Sequence, residues 1–150
     1  MPDPPPQESQ DSQEVTTQRK HSLGLALVAG FTLIIAGPFV AMFADAMFLD
    51  TSGYESGPGQ SFMSPAGRLA LAFLLPAGAL AGAYCAATIA KREEFFVTLM
   101  LATGSGGIAA AIVFDEPYSF AAQVTIVSFS IGAAFLGAWF HNRRKSNQQL

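Results

Sequence analysis

Charged side chains are scarce in this chain. They account for 13% of its 150 residues, whereas a typical soluble domain carries about 25%. The scarcity is uneven, because residues 1–22 are polar and most of the remainder lies in long apolar runs. Runs of this length without charge do not suit a soluble domain. No face is strongly basic, so no nucleic-acid partner is expected.

Cysteine and histidine are also rare. The single cysteine, Cys85, excludes an internal disulfide, and its place within an apolar run gives no indication of a redox compartment. The two histidines, His21 and His141, lie outside the apolar runs. No set of Cys, His, Asp and Glu residues shows a metal-ligand spacing. We therefore expect neither a metal ion nor a cofactor.

What the chain does contain is four apolar runs without Lys, Arg, Asp, Glu or His, over residues 23–43, 69–90, 95–114 and 118–140. Each holds about 20 residues or more, enough at about 1.5 Å per residue to cross a hydrocarbon core of about 30 Å. The sequence thus predicts an all-α integral membrane protein with four transmembrane helices. The expected domain covers 23–141, with spans near 23–43, 67–90, 94–114 and 117–140.

Two polar tails flank this domain. Residues 1–22 are rich in proline and carboxylates and predict a disordered cytoplasmic tail, and residues 142–150 form a second cytoplasmic tail. The first run also resembles a cleaved signal peptide, with basic residues 19–21 before it and Ala44-Asp45-Ala46 after it. It exceeds the usual length of about 7 to 15 residues, so a retained span is favoured and cleavage stays open.

The basic residues predict the orientation of the helices. They precede the first span, separate the second from the third and follow the fourth: Arg19, Lys20, Lys91, Arg92, Arg143, Arg144 and Lys145. The other side carries mainly carboxylates, with Arg68 as its basic exception. The positive-inside rule then places both termini in the cytoplasm, most simply in the cell membrane.

The connections between the runs predict which helices are neighbours. Residues 91–94 and the stretch Asp115-Glu116-Pro117 are short, so the second, third and fourth helices should pack as antiparallel neighbours. Ser64 and Pro65 have the pattern of an N-cap followed by a first-turn proline, which predicts the start of the second helix. The longer segment over residues 44–65 leaves the position of the first helix open.

The stretch ATGSGGIAAA, residues 102–111, suggests either a phosphate loop, a nucleophile or close helix packing. A phosphate loop needs a lysine that is absent. A nucleophile elbow needs glycine where Thr103 stands, and Ser105 has no histidine within reach in the predicted topology. We therefore predict no catalytic residue and interpret the stretch as a packing surface.

Small residues recur at spacings of four on three helices. Such ridges allow close contact between helices in lipid, where burial of apolar surface gives no driving force. The predicted helix-packing residues are Gly78, Gly82, Ala86, Gly106, Gly107, Ala110, Gly132 and Gly137. Because residues 91–94 form a short turn, the main seam is expected between the second and third helices.

Polar residues at the external ends of the spans form a second candidate site, an external polar rim: Asp45, Arg68, Asp115, Glu116 and Gln123. Asp45 and Arg68 could pair across the mouth of the bundle, and the carboxylates could gather a cation. Without ordered ligand spacing, a solvated acidic rim is favoured. The Gln123 amide needs a partner in a dry setting, and a bond between helices is expected.

These features favour a non-enzymatic membrane protein that acts as an accessory or structural subunit through small-residue packing. Its expected partners are the lipid bilayer and either further copies of itself or a larger membrane protein. The alternative is a small oligomeric channel or transporter whose pore is lined by hydroxyls and Gln123. The four apolar runs contain no Lys, Arg, Asp, Glu or His side chain that could serve ion coupling.

Overall fold

The computed structural model describes residues 8–48, 63–90, 94–116 and 118–147. Within these ranges the regular structure is helical: α1 (Glu8–Phe48), α2 (Pro65–Ala90), α3 (Glu94–Phe114) and α4 (Phe120–Asn147). Each helix contains a stretch long and apolar enough to cross a membrane. The prediction of an all-α chain with four candidate spans is confirmed.

α1 begins well before the first apolar run. It contains 41 residues from Glu8 onward and so includes most of the segment predicted to be a disordered tail. The structure gives residues 8–22 as part of this helix, and residues 1–7 lie outside the described residues. The prolines of the tail end at Pro6, and no proline or glycine interrupts residues 7–22. Extension of an existing helix needs no new nucleus, so the polar residues can continue the helix of the apolar run.

The four helices form a bundle in which α2 and α3 contact each other and both contact α1 and α4. Across the described residues, α1 and α4 do not touch, so they occupy opposite corners. The short connections predicted α2–α3 and α3–α4 contacts, and both are present. The most extensive contact nevertheless joins α1 to α2, and the next joins α2 to α4.

The interior of the bundle is built from small residues. Most of its buried apolar residues are alanines: Ala26, Ala41, Ala79, Ala83, Ala86, Ala87, Ala90, Ala102, Ala109, Ala133, Ala134 and Ala138. A few larger side chains, such as Ile34, Leu71 and Leu101, fill the gaps between them. The core is therefore thin, and the helix axes can approach closely.

The phenylalanines lie on the outside of the bundle, whereas the alanines fill its interior. Among the described side chains none belongs to the buried core, and the exposed fraction reaches 77% at Phe95 and 69% at Phe73. Every helix carries exposed large apolar side chains of this kind. Soluble proteins rarely expose such extensive apolar surface. The outer surface is therefore suited to lipid or to other membrane helices.

Candidate functional site

The glycines of α2 pack against α1. A Cβ atom added to Gly82 would lie 2.5 Å from the carbonyl oxygen of Gly30, and one added to Gly37 would lie 2.6 Å from that of Leu74. At Gly78 the nearest atom would be the Leu33 carbonyl oxygen, at 3.0 Å. These neighbours are backbone atoms, so the two helices touch main chain to main chain. This is possible only where side chains are absent.

This seam differs from the predicted one. The short α2–α3 connection predicts that the α2 ridge packs on α3, whereas Gly78 and Gly82 face α1. The reason is that α1 has two glycines of its own, Gly30 and Gly37, which allow the closer approach. Sequence reasoning missed them, although their separation of two helical turns was a usable signal.

Three other predicted packing residues also lie at contacts within the chain. A Cβ on Gly137 would collide with the carbonyl oxygen of Leu80 on α2, and one on Gly106 would lie 2.7 Å from Cγ1 of Ile131 on α4. Ala86 is fully buried in the core. Gly104, outside the predicted set, faces the ring of Phe31 on α1.

The remaining predicted packing residues face outward or lie half-buried. No atom lies within 4 Å of a Cβ added to Gly107 or Gly132, when the backbone of their own helix is left aside. Gly107 is exposed, and Gly132 and Ala110 are half-buried. Thr103 and Ala111, each four residues from Gly107, are exposed as well. α3 therefore carries an outward stripe of small residues that the rest of the described chain leaves uncovered.

A polar cluster lies where α1 ends and α2 begins, and we call it the polar end. The Ser64 hydroxyl oxygen accepts a hydrogen bond from the amide of Gly67 at 2.9 Å. The amide of Arg68 donates to the Ser64 carbonyl oxygen at 2.9 Å. Ser64 is thus the N-cap and Pro65 the first residue of α2, as predicted.

Asp45 of α1 completes this cap. Its carboxylate accepts hydrogen bonds from the Ser64 hydroxyl and, at 3.0 Å, from the Ser64 amide. Asp45 and Ser64 are both buried. The negative charge lies at the positive end of the α2 dipole, where it is favourable. Gly67 is required for this approach, because a Cβ there would overlap the Asp45 carboxylate.

Tyr118 links the start of α4 to the same cluster. Its hydroxyl donates to the Arg68 carbonyl oxygen at 2.7 Å, and its amide donates to the Glu116 carbonyl oxygen at 2.7 Å. Burial, and then the charge of Glu116, raise the pKa of Tyr118, while Arg68 acts in the opposite direction. Nε of Arg68 is buried and finds no hydrogen-bond partner within the described part of the chain.

The predicted rim residues are only partly brought together. The Asp45 carboxylate and the Arg68 backbone amide both bond to Ser64, and Glu116 is buried near Tyr118. Asp115 is exposed. The amide nitrogen of Gln123 donates to the Val113 carbonyl oxygen at 3.4 Å, which confirms the expected bond between helices.

The described residues offer little chemistry beyond packing. Among the side chains that the structure describes, no group of three His, Cys, Asp or Glu residues could hold a metal ion. Ser105 is buried, and its hydroxyl donates to the Ala102 carbonyl oxygen at 3.0 Å. The Ser130 hydroxyl likewise donates to the Ile126 carbonyl oxygen at 2.9 Å. These hydroxyls satisfy their hydrogen bonds on the helix backbone.

The helices are therefore joined by hydrogen bonds at the polar end and by close backbone contacts at the glycines. No known protein family matches the sequence, and no curated protein or solved structure is significantly similar to it.

Proposed function

We propose that the chain is a multi-pass integral membrane protein with both termini in the cytoplasm. Large apolar side chains, many of them phenylalanines, face outward on all four helices. Such a surface suits a lipid environment. The polar end then faces the outside, and the basic residues of the α2–α3 connection and the end of α4 face the cytoplasm. The cell membrane is the simplest location.

This topology can be tested by labelling with a membrane-impermeant maleimide. In a Cys85→Ala background, single cysteines are introduced at Ser56, between α1 and α2, and at Ser146, near the C-terminus. In intact cells the Ser56→Cys protein should be labelled, and the Ser146→Cys protein only after the membrane is opened. Labelling of Ser146→Cys in intact cells would contradict the orientation.

Within the membrane, the proposed role is that of a non-enzymatic accessory or structural subunit that binds a second copy or a larger partner through helix packing. The observation that carries this role is the open space that faces two glycines, Gly107 on α3 and Gly132 on α4. Other glycines, such as Gly82 and Gly137, already contact another helix of the same chain and are not open to a partner. A partner helix could approach the outward glycines as closely as α1 approaches α2.

The test compares glycines that all face open space. Gly107→Leu and Gly132→Leu should reduce recovery of the partner or of a second tagged copy in gentle detergent. Gly24→Leu is the matched control, because nothing lies within 4 Å of its added Cβ and it lies on α1. Native mass spectrometry identifies what co-purifies. Equal recovery with all three variants would contradict assembly through this surface.

One observation favours a small channel or transporter as the second candidate. Thr125 and Ser128 are exposed on α4 and share an outward stripe with the half-buried Gly132. In an oligomer these hydroxyls could line a pore near Gln123. Flux through purified liposomes that disappears with Gln123→Leu would support this candidate, and flux absent from the unaltered protein would contradict it.

A further inference from the structure

α2 and α4 touch about three turns before the end of each helix. A Cβ at Gly137 would collide with the Leu80 carbonyl oxygen and would lie 3.1 Å from the Tyr84 amide nitrogen. Towards their C-terminal ends the two helices are joined again by contacts from Tyr84 to Arg144 and from Thr88 to His141. We call the strip of outer surface along this line of contacts the α2–α4 groove.

The α2–α4 groove changes from apolar to polar along its length. On each helix three residues spaced by four fall on one stripe. The stripes begin with partly exposed apolar side chains, at 36% for Leu80, 50% for Leu136 and 49% for Phe140. They end in polar groups. The lining residues are Leu80, Tyr84, Thr88, Leu136, Phe140 and Arg144.

The polar groups of the groove are held in place by contacts between the helices. Arg144 Nη1 donates to the Tyr84 hydroxyl oxygen at 3.1 Å. The His141 ring packs edge-on against the Tyr84 ring, with centroids 5.9 Å apart. Its Nδ1 lies 3.4 Å from the Thr88 hydroxyl oxygen, which itself donates to the Tyr84 carbonyl oxygen at 2.9 Å. The Arg144 side chain is thus oriented before any ligand arrives.

This end of the groove can bind an anion. The contact with Tyr84 uses one N–H group of Arg144, so the rest of its planar fork remains available for a phosphate. The Tyr84 hydroxyl accepts that bond and keeps its own proton to donate. Lys145 follows directly and adds a second positive charge. Basic pockets between membrane helices commonly bind anionic lipid headgroups.

We propose that the α2–α4 groove binds an anionic phospholipid. Arg144 and Tyr84 hold the headgroup phosphate, and an acyl chain lies over Leu80, Leu136 and Phe140. The apolar-to-polar order of the groove matches the order of groups in such a lipid. The proposal rests on the membrane insertion proposed above, with this end in the cytoplasmic leaflet.

The test is native mass spectrometry of the full-length protein in neutral detergent with an equimolar mixture of phosphatidylglycerol and phosphatidylcholine. The unaltered protein should retain phosphatidylglycerol selectively. Arg144→Ala should lower that selectivity about tenfold, and Tyr84→Phe about threefold or more, since each removes a charge-assisted contact. Tyr84→Phe removes a single oxygen, and its helicity by circular dichroism should match the unaltered protein.

Arg143→Ala is the matched control. It removes the same charge, but the Arg143 guanidinium lies 5.3 Å from the Trp139 ring centroid, away from Tyr84. Its selectivity should stay within about twofold of the unaltered protein. Equal losses at Arg143 and Arg144 would show diffuse surface charge and overturn the assigned site.

Two further outcomes separate the alternatives. Displacement of phosphatidylglycerol by millimolar inorganic phosphate, with phosphate itself retained, would identify a free phosphate site and overturn the lipid assignment. Equal retention of both lipids by the unaltered protein would overturn the proposal while leaving membrane insertion intact. Retention of neither lipid would also overturn it, and a failure to insert into neutral liposomes would then show that the membrane assignment had failed too.

Discussion

Replacing Gly82 by alanine should separate α1 from α2. The added Cβ would lie 2.5 Å from the Gly30 carbonyl oxygen and 3.0 Å from Cγ1 of Ile34. The Ile34 side chain can rotate, but the carbonyl oxygen belongs to the α1 backbone. Relief of this contact therefore requires movement of a whole helix, by about 0.9 Å to reach ordinary van der Waals distance.

The cost can be estimated from the competing terms. Overpacking of a close contact costs about 1–3 kcal/mol, and the better helix propensity of alanine offsets up to about 1 kcal/mol. With the full offset, we expect a net loss of up to about 2 kcal/mol for Gly82→Ala. Gly107→Ala is the matched control, because the same methyl group meets no atom within 4 Å there. It should be neutral or stabilising by up to about 1 kcal/mol.

The free energy of unfolding can be measured by titrating the protein from neutral detergent into sodium dodecyl sulfate. The fluorescence of Trp139, the single tryptophan, reports the transition. Circular dichroism checks that helix content is retained before the transition. If Gly82→Ala loses no more stability than Gly107→Ala, the backbone contact between α1 and α2 does not exist as described.

Further predictions concern the polar end. Gly67→Ala should displace the Asp45 carboxylate from Ser64 and cost about 1.5–3 kcal/mol in the same titration. Asp45→Ala should lower the free energy of unfolding by a similar amount. The double variant should lose clearly less than the sum of the two single losses, because both substitutions break the same contact. Additive losses would refute the shared contact. Burial and Glu116 raise the pKa of Tyr118 above 10.0. The unfolded chain therefore ionises first, so the contribution of Tyr118 to stability is intact below pH 10.0 and falls as pH rises through the higher folded pKa. In thermal unfolding measured against pH, Tyr118→Phe should lose less stability above pH 10.0 than the unaltered protein. The same pH profile for both proteins would contradict this prediction.

The number and approximate bounds of the apolar helices could be predicted because both depend on local composition. Long runs without charge mark the candidate spans, and the Ser64 cap is recognisable from two adjacent residues. The start of α1 could not be predicted in the same way. A polar composition argues against a packed core, but a helix that continues from an apolar run does not require one.

The pairing of the helices could not be predicted from the sequence, because it depends on contacts between residues that are far apart in the chain. The spacing of Gly78 and Gly82 identified a packing ridge but not its partner, which α1 supplies through Gly30 and Gly37. Similarly, Asp45 could be placed at the rim, yet its partner is Ser64, which it bonds directly. That choice follows from the crossing of α1 and α2, which no local pattern encodes.

The alanine-filled interior has a consequence for how the protein responds to mutation. Alanine scanning normally detects a core by truncating large side chains, and here most core positions are already alanine. Truncation at the exposed phenylalanines removes mainly outer surface, because none of these side chains belongs to the buried core of the described residues. The informative experiment is the reverse one, a scan that enlarges side chains. Positions such as Ala79 and Ala134, both fully buried, should tolerate leucine least.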